Sequence, residues 1–276
     1  MLHPSIEPYA IGGMSSAQSA LRERLEAVFI GLGSIGQRQL QLWHNLTGEC
    51  PWAVRSGHGP ELPPHTYQPA TSVQEAVNSG AKVAFICNPT SEHIASALEC
   101  ARLGLALFLE KPIGNSLEGW KELKTLLIDG PMISYVAYPL RFHPLLQRCR
   151  ALIANHELGD VLSFSAICSS YLPDWRPGSN YRNCYSAQKR LCGGALLDLS
   201  HELDYLAWLF GPYKITTARL ERISDLKIDT EDHVDLLLRF ASGVPGRVHL
   251  DYYRRDAQRT LDIVAAEGSA TADLIS

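Results

Sequence analysis

The chain has 276 residues, 46% hydrophobic and 20% charged, enough to bury a substantial core in one large or two medium domains. A net charge of −4 leaves no basic footprint for nucleic acid or an anionic membrane, and no window approaches 18 uninterrupted apolar residues. Pro4, Pro8, Gly12 and Gly13 stand where a secretory leader would carry its apolar stretch, so the expected setting is soluble and cytoplasmic, with no nucleic-acid or membrane partner. The seven cysteines (Cys50, Cys87, Cys100, Cys149, Cys168, Cys184 and Cys192) form no CxxC pair, which favours free thiols in a reducing compartment over disulfides or a zinc centre; no metal is expected.

Residues 1–24 read as a turn-rich tail with a short polar helix over 16–24. The apolar run 27–30 then predicts a buried parallel strand, and residues 37–46 carry Leu40, Trp43 and Leu46 at helical spacing. A second strand is expected over 51–54, a helix over 72–79, a strand over 82–87, a helix over 91–103 closed by Gly104, a strand over 106–109, a helix over 117–127 and a strand over 132–137. This strand–helix alternation predicts a parallel sheet covered on both faces, with the loops after the strands gathered on one edge. From residue 140 the texture changes. A helix over 143–153 and a strand over 161–170 precede a long polar, aromatic connection over 172–192. One continuous apolar helix is expected over 195–210, stopped by Gly211-Pro212. Strand-like runs at 215–223, 233–240, 247–253 and 260–265 then predict a mostly antiparallel open sheet in an α+β domain. The expected division is therefore an α/β Rossmann domain over 25–139 and an α+β substrate-binding and oligomerisation domain over 140–276.

The motif with the clearest chemistry is Gly31-Leu32-Gly33-Ser34-Ile35-Gly36, placed between a strand and a helix. In such a loop the first glycine allows the tight turn, the second lets backbone approach a pyrophosphate, and the third lets helix and strand pack closely. The helix start then offers unpaired N–H groups and a positive dipole end to the phosphates. An acidic residue at the end of the second strand would bind a ribose 2′-hydroxyl; here Arg55 and Ser56 stand there instead. A guanidinium and a hydroxyl suit a 2′-phosphate, so the expected cofactor is NADP, with NAD as the alternative.

The ordered set of Gly31 to Gly36, Asn88-Pro89-Thr90 with His93, Glu110-Lys111-Pro112, and Gly193-Gly194 leading to His201 and Asp204 resembles the Gfo/Idh/MocA oxidoreductases, over about residues 28–268. The resemblance implies a Rossmann domain followed by an α/β domain with an open, mostly antiparallel sheet. It also implies hydride transfer between NAD(P) and a carbohydrate-like hydroxyl or ketone. Asn88, Pro89, Thr90, His93, Glu110, Lys111 and Pro112 then join the glycine loop, Arg55 and Ser56 around the cofactor. Lys111 matches the family's active-site lysine, although a lone lysine at a strand end is ordinarily a surface residue. His201 matches its histidine, whose near-neutral pKa suits acid–base work. Asp204 either orients that imidazole, touches substrate or is a structural helix residue. In many relatives an aspartate precedes the histidine by four residues; here Asp198 precedes it by three. Both spacings share a helix face, so Asp198 is either part of the catalytic set or an N-cap.

Residues 171–189 hold Tyr171, Trp175, Arg176, Tyr181, Arg182 and Tyr185, and aromatic faces and guanidiniums suit sugar rings and anionic groups. With Tyr138 and Arg141, which match a cleft-lining family stretch, they are the expected substrate contacts for a sugar-like, anionic or nucleotide-linked molecule; the alternative is a packing loop. The resemblance also implies a homodimer or homotetramer, and a chain continuing past the stretch near Gly268, so that the closing elements of the second domain are expected to be cut short at Ser276. Two other functions fit the same cofactor site: glycoside cleavage with tightly held NAD, and a non-catalytic dinucleotide-binding role.

Overall fold

The computed structural model describes residues 26–57, 62–63 and 65–275, so the expected N-terminal tail and its short helix lie outside the described residues. The first sheet is built from β1 (Glu26–Ile30), β2 (Trp52–Val54), β3 (Gln68–Ala70), β4 (Ala81–Ile86), β5 (Ala106–Leu109) and β6 (Ser134–Val136) in the order β3-β2-β1-β4-β5-β6, with every pair parallel. The order reverses direction between β1 and β4, the switch point at which open α/β sheets bind ligands. The covering helices are α1 (Ser34–Thr47), α2 (Val73–Asn78), α3 (His93–Arg102) and α4 (Trp120–Asp129). One row of the sheet is aromatic: Phe29, Phe85, Phe108 and Tyr135 are register partners on four neighbouring strands, with ring centroids 4.4, 4.9 and 5.5 Å apart. Trp43 of α1 meets Phe85 edge-on, which fixes the helix over that face. On the other face Val28, Ala84, Ile86, Leu107 and Leu109 pack with Ala97, Cys100 and Leu123 of α3 and α4.

The second sheet has the order β12-β11-β7-β10-β9-β8, from β7 (Val161–Ser169), β8 (Tyr213–Glu221), β9 (His233–Phe240), β10 (Pro245–Asp251), β11 (Gln258–Ala265) and β12 (Ser269–Asp273). Only β7 and β10 run parallel; the remaining pairs are antiparallel. Its inner face packs on α5 (Pro144–Ala154) and α7 (His201–Phe210) through Leu146, Cys149, Tyr205, Leu206 and Leu209. The opposite face carries no covering helix among the described residues, and β9 alternates buried Leu236, Leu238 and Phe240 with exposed Asp235, Leu237 and Arg239.

One expectation is corrected. The continuous helix over 195–210 is two helices, α6 (Ala195–Asp198) and α7, broken at Leu199 and Ser200. The break leaves the Asp198 carbonyl out of a helical ladder, and the Lys111 ammonium donates to it at 2.6 Å. The polar connection after β7 is a chain of 3-10 turns: Leu172–Trp175, Tyr181–Asn183, Tyr185–Ala187 and Lys189–Leu191. After Gly268 the chain forms the edge strand β12.

Candidate functional site

Parallel register lines up the ends of β1, β2, β4, β5 and β6: Ile30 pairs with Val54 and Ile86, Ile86 with Leu109, and Leu109 with Val136. The residues just beyond these ends, Gly31, Arg55 with Ser56, Asn88, Glu110 with Lys111, and Tyr138, therefore share one edge. Gly31 has φ +84°, and a Cβ there would meet the Asn88 Cα at 2.7 Å. A Cβ on Gly36 would collide with the Gly31 carbonyl, so the third glycine is the residue that lets α1 sit against β1.

Gly33 is the N-cap of α1; no side chain caps it, and the first turn holds no acidic residue. The N–H groups of Ser34, Ile35 and Gly36 open this helix, and a Cβ on Gly33 would meet nothing within 4 Å. Beside it Asn88 donates to Ser96 and Glu92, while its Oδ1 is buried with no hydrogen-bond partner. An uncapped positive helix end, open space before it and an orphaned acceptor fit a dinucleotide's pyrophosphate and its neighbouring hydroxyls.

The flanking loops hold one another. His93 is buried, with Nδ1 2.7 Å from the Pro112 carbonyl and Nε2 2.9 Å from the Asn88 carbonyl, so it ties the loops after β4 and β5 together; burial pushes its pKa down. Pro89 starts the turn that carries Thr90 into α3, and the Lys111–Pro112 peptide is cis. Glu110 is buried and accepts from Gln39 of α1 at 2.7 Å, and burial pushes its carboxyl up. Arg55 donates to the Tyr67 hydroxyl at 2.9 Å and lies over that ring.

Lys111 crosses to the second sheet's side and meets Asp198, with Nζ 3.0 Å from Oδ1. The same carboxylate accepts from Ser186 and from the Tyr252 hydroxyl at 3.2 Å. Burial alone would raise this carboxyl; the Lys111 charge and these donors outweigh it and hold it below the usual carboxylate range. Asp198 closes α6 rather than capping α7, whose N-cap is Ser200, so the N-cap alternative is set aside.

His201 opens α7 next to this pair, and its ring meets Tyr138 edge-on at 5.6 Å. Its Nδ1 is buried with no partner, and burial, aided by the Lys111 and Arg259 charges, pushes its pKa down to about 3. Tyr138 lies 3.4 Å from the Ser200 hydroxyl. Asp204 does not orient the imidazole: it takes Arg141 in a two-pronged pair at 2.8 and 2.6 Å, joining the exit of the first domain to α7.

A cleft of about 440 Å³ is lined by Lys111, Asp198, His201, Trp175, Ser170, Gln258 and Arg259, with Leu274 and Ile275 at one wall. Of the six residues expected in the connecting loop, only Trp175 lines it; its indole donates to Ser170 and meets Tyr252 edge-on. Tyr171 lies under the Arg255 guanidinium, Tyr181 accepts from the Lys227 backbone, and Tyr185 bonds both Thr90 and the Cys192 carbonyl. Arg176 and Arg182 are exposed, Arg182 over the Tyr181 ring. Half-buried tyrosine hydroxyls need partners, and here the protein supplies them. Sequence reading missed Ser170, Ser186, Tyr252, Gln258 and Arg259, which reach the site from separate strands and turns and form no local motif. Arg259 is locked on the wholly buried Glu202 at 2.7 and 3.0 Å; burial works against its charge, and Glu202 outweighs that and holds its proton tighter.

The two layers define a dinucleotide-type site on one sheet edge, closed where Lys111 of that edge meets Asp198 of the second domain. An oxidoreductase-family NAD-binding Rossmann fold matches residues 25–138, and the GFO/IDH/MocA C-terminal domain matches residues 146–271. The chain belongs to the Gfo/Idh/MocA oxidoreductase family. It is 26% identical over 210 residues to the levoglucosan dehydrogenase of Pseudarthrobacter phenanthrenivorans, covering 67% of this chain and 53% of that protein. It is 27% identical over 177 residues to the trans-1,2-dihydrobenzene-1,2-diol dehydrogenase of Sus scrofa, covering 62% and 49%. The chain thus spans about half the length of the curated relatives it matches. Among solved structures, GenD2 from gentamicin A biosynthesis, in complex with NAD, superposes with a TM-score of 0.77 at 22% identity, covering 91% of this chain and 73% of that one; at this identity the likeness is one of fold. No helix among the described residues is long and apolar enough to cross a membrane.

Proposed function

We propose that this chain is an NAD(P)-dependent oxidoreductase acting on a carbohydrate-like hydroxyl or ketone, with residues 25–139 holding the cofactor and residues 140–276 the substrate. The observation that carries the reading is the Lys111–Asp198 pair, 3.0 Å apart in a 440 Å³ cleft at the sheet edge that carries the glycine loop. The nicotinamide, when bound, supplies or takes up the hydride. Gly31, Gly33, Ser34, Ile35 and Gly36 hold the pyrophosphate, and Asn88, Thr90 and Glu110 bound the rest of the dinucleotide with Pro89, His93 and Pro112 shaping their loops. Lys111 presents an ammonium to the substrate oxygen, which can polarise a carbonyl and donate a proton as hydride arrives. Asp198 is the positioning residue that fixes this ammonium through its carboxylate and carbonyl. His201, kept neutral by burial and by the Lys111 and Arg259 charges, accepts a hydrogen bond from the neighbouring substrate hydroxyl rather than its proton.

Ser170, Gln258 and Trp175 offer hydroxyl, amide and aromatic surface, and the Arg259 guanidinium that lines the cleft beside them is already paired with Glu202. This lining favours a neutral polyhydroxylated substrate over an anionic or nucleotide-linked one, and the relatives that act on levoglucosan and on a dihydrodiol agree with that choice. Arg55 and Ser56 take the 2′-phosphate of NADP: Arg55→Ala should weaken NADPH about 10–100-fold and leave NADH nearly unchanged. The function test is nicotinamide absorbance with a panel of neutral keto-sugars and polyols, in wild type, Lys111→Ala and His201→Ala. Turnover lost in both variants supports the reading. Aglycone release without net redox change, or binding indifferent to both substitutions, overturns it in favour of glycoside cleavage or a non-catalytic role.

A further inference from the structure

Away from the cleft, the uncovered face of the second sheet holds two copies of one short pattern, His233-Val234-Asp235 on β9 and His249-Leu250-Asp251 on β10. The strands pair antiparallel with His249 opposite Asp235 and Asp251 opposite His233, so alternation brings all four polar side chains to one face. The Asp235 carboxylate lies between the imidazoles, with Oδ2 2.9 Å from His233 Nε2 and Oδ1 2.8 Å from His249 Nδ1. One ligand atom from each of His233, Asp235 and His249 falls within 4.8 Å of the others. The far ring nitrogens are held from behind: His233 Nδ1 is 2.8 Å from the Tyr253 hydroxyl, and His249 Nε2 is 3.0 Å from Asp251 Oδ2. Asp251 is itself buried and fixed by the Tyr253 and Arg254 backbone N–H groups.

We propose that His233, Asp235 and His249 bind a divalent transition-metal ion of the zinc class, through two imidazole nitrogens and one carboxylate oxygen, with a water in the fourth position. The donor set suits a borderline metal rather than the all-oxygen sites of magnesium or calcium. The outer partners are the kind that bound imidazoles require, because the nitrogen opposite the metal must carry its proton and point it at an acceptor. Charge agrees as well. Asp235 and Asp251 bring two negative charges to His249, which a divalent ion offsets. Arg219, across from Asp235 on β8, pairs with Glu221 at 2.7 Å, which offsets its repulsion. Asp235 is half-exposed, so the fourth position opens to solvent. A bound ion would clip β9 to β10 on the face that no described helix covers.

The experiment is a cobalt and zinc titration of the full chain after chelator treatment and dialysis. One cobalt ion per chain is expected, with the intense visible bands of four-coordination, no thiolate charge-transfer band, and displacement by zinc. Zinc affinity should fall at least tenfold in His249→Gln and Asp235→Asn, and about 10–100-fold in Tyr253→Phe, which keeps every ligand and removes only the support of His233. In the wild-type chain, zinc should also slow diethyl pyrocarbonate modification of His233 and His249, a readout that needs no variant to fold. Absence of stoichiometric uptake, a thiolate band placing the metal on cysteine, or unprotected histidines at saturating zinc overturns the assignment.

Discussion

Lys111 and Asp198 come from different domains, and their pair is the link on which the proposed chemistry rests, so its strength is the quantity to measure. At 3.0 Å and an effective dielectric near 20, the direct attraction is about 5 kcal/mol. Desolvation of both groups consumes much of that, and the remainder shows when one partner is removed. Lys111→Met leaves the Asp198 carboxylate buried against Ser186 and Tyr252, and Asp198→Asn leaves the ammonium facing a neutral amide. Each single change should lower unfolding free energy by about 3–5 kcal/mol, because an unpaired buried charge remains. The double variant buries no charge there, so its cost should fall short of the sum by about 1–3 kcal/mol. Urea unfolding of the four proteins at neutral pH gives that coupling, and a value under about 0.5 kcal/mol would refute an energetically coupled pair. Acid supplies a second reading with a definite sign. The folded-state pKa of Asp198 is depressed, so its contribution is fully present above about pH 4, where an unfolded aspartate ionises, and disappears as pH falls further. The wild-type stability curve should drop below about pH 4, and the Asp198→Asn curve should be flatter there.

His201 carries the opposite signature: unfolded imidazole takes a proton near pH 6.5, but the folded group only near pH 3. Stability should therefore decline by up to about 1.4 kcal/mol per pH unit on acidification between those values, and His201→Gln should remove that slope in urea titrations. Gly31→Ala places a Cβ 2.7 Å from the Asn88 Cα at φ +84°, so it should lower the melting temperature and weaken dinucleotide binding at least tenfold by fluorescence titration. Glu202→Gln leaves the Arg259 guanidinium buried beside a neutral amide and should cost about 3–5 kcal/mol in urea unfolding; an unchanged midpoint would mean that Arg259 swings into the cleft.

The first domain was legible because its signal is local. A buried parallel strand is a short apolar run, and parallel register aligns the residues just after each run, so Gly31, Asn88 and Lys111 could be placed on one edge from sequence alone. β3 escaped because Gln68-Pro69-Ala70 is a three-residue edge strand with a proline and no apolar alternation. β12 escaped for a similar reason, since Ser269-Ala270-Thr271-Ala272-Asp273 buries only Ala272. The break between α6 and α7 was hidden because apolar spacing runs straight through Leu199, and the partner of the freed carbonyl is Lys111, 87 residues away. The aromatic connection carries two readings at once. Tyrosine and arginine are the residue types of a sugar site and also of a loop that must satisfy itself without regular structure, and Tyr171, Tyr181 and Tyr185 do the second.

Specificity divides along the same line. On the proposed assignment, the cofactor end of the site is written in strand-end loops of one sheet, whereas Ser170, Gln258 and Arg259 come from the ends of β7 and β11 in the other. Contacts that cross between them, Lys111 with Asp198 and Thr90 with Tyr185, set the distance between the two halves without themselves choosing a substrate. Changes at Gln258 should therefore alter which polyol is turned over while leaving dinucleotide affinity unchanged. Changes at Tyr185 should disturb both halves together, because its hydroxyl bonds the loop after β4 as well as the turn that leads into Asp198 and His201.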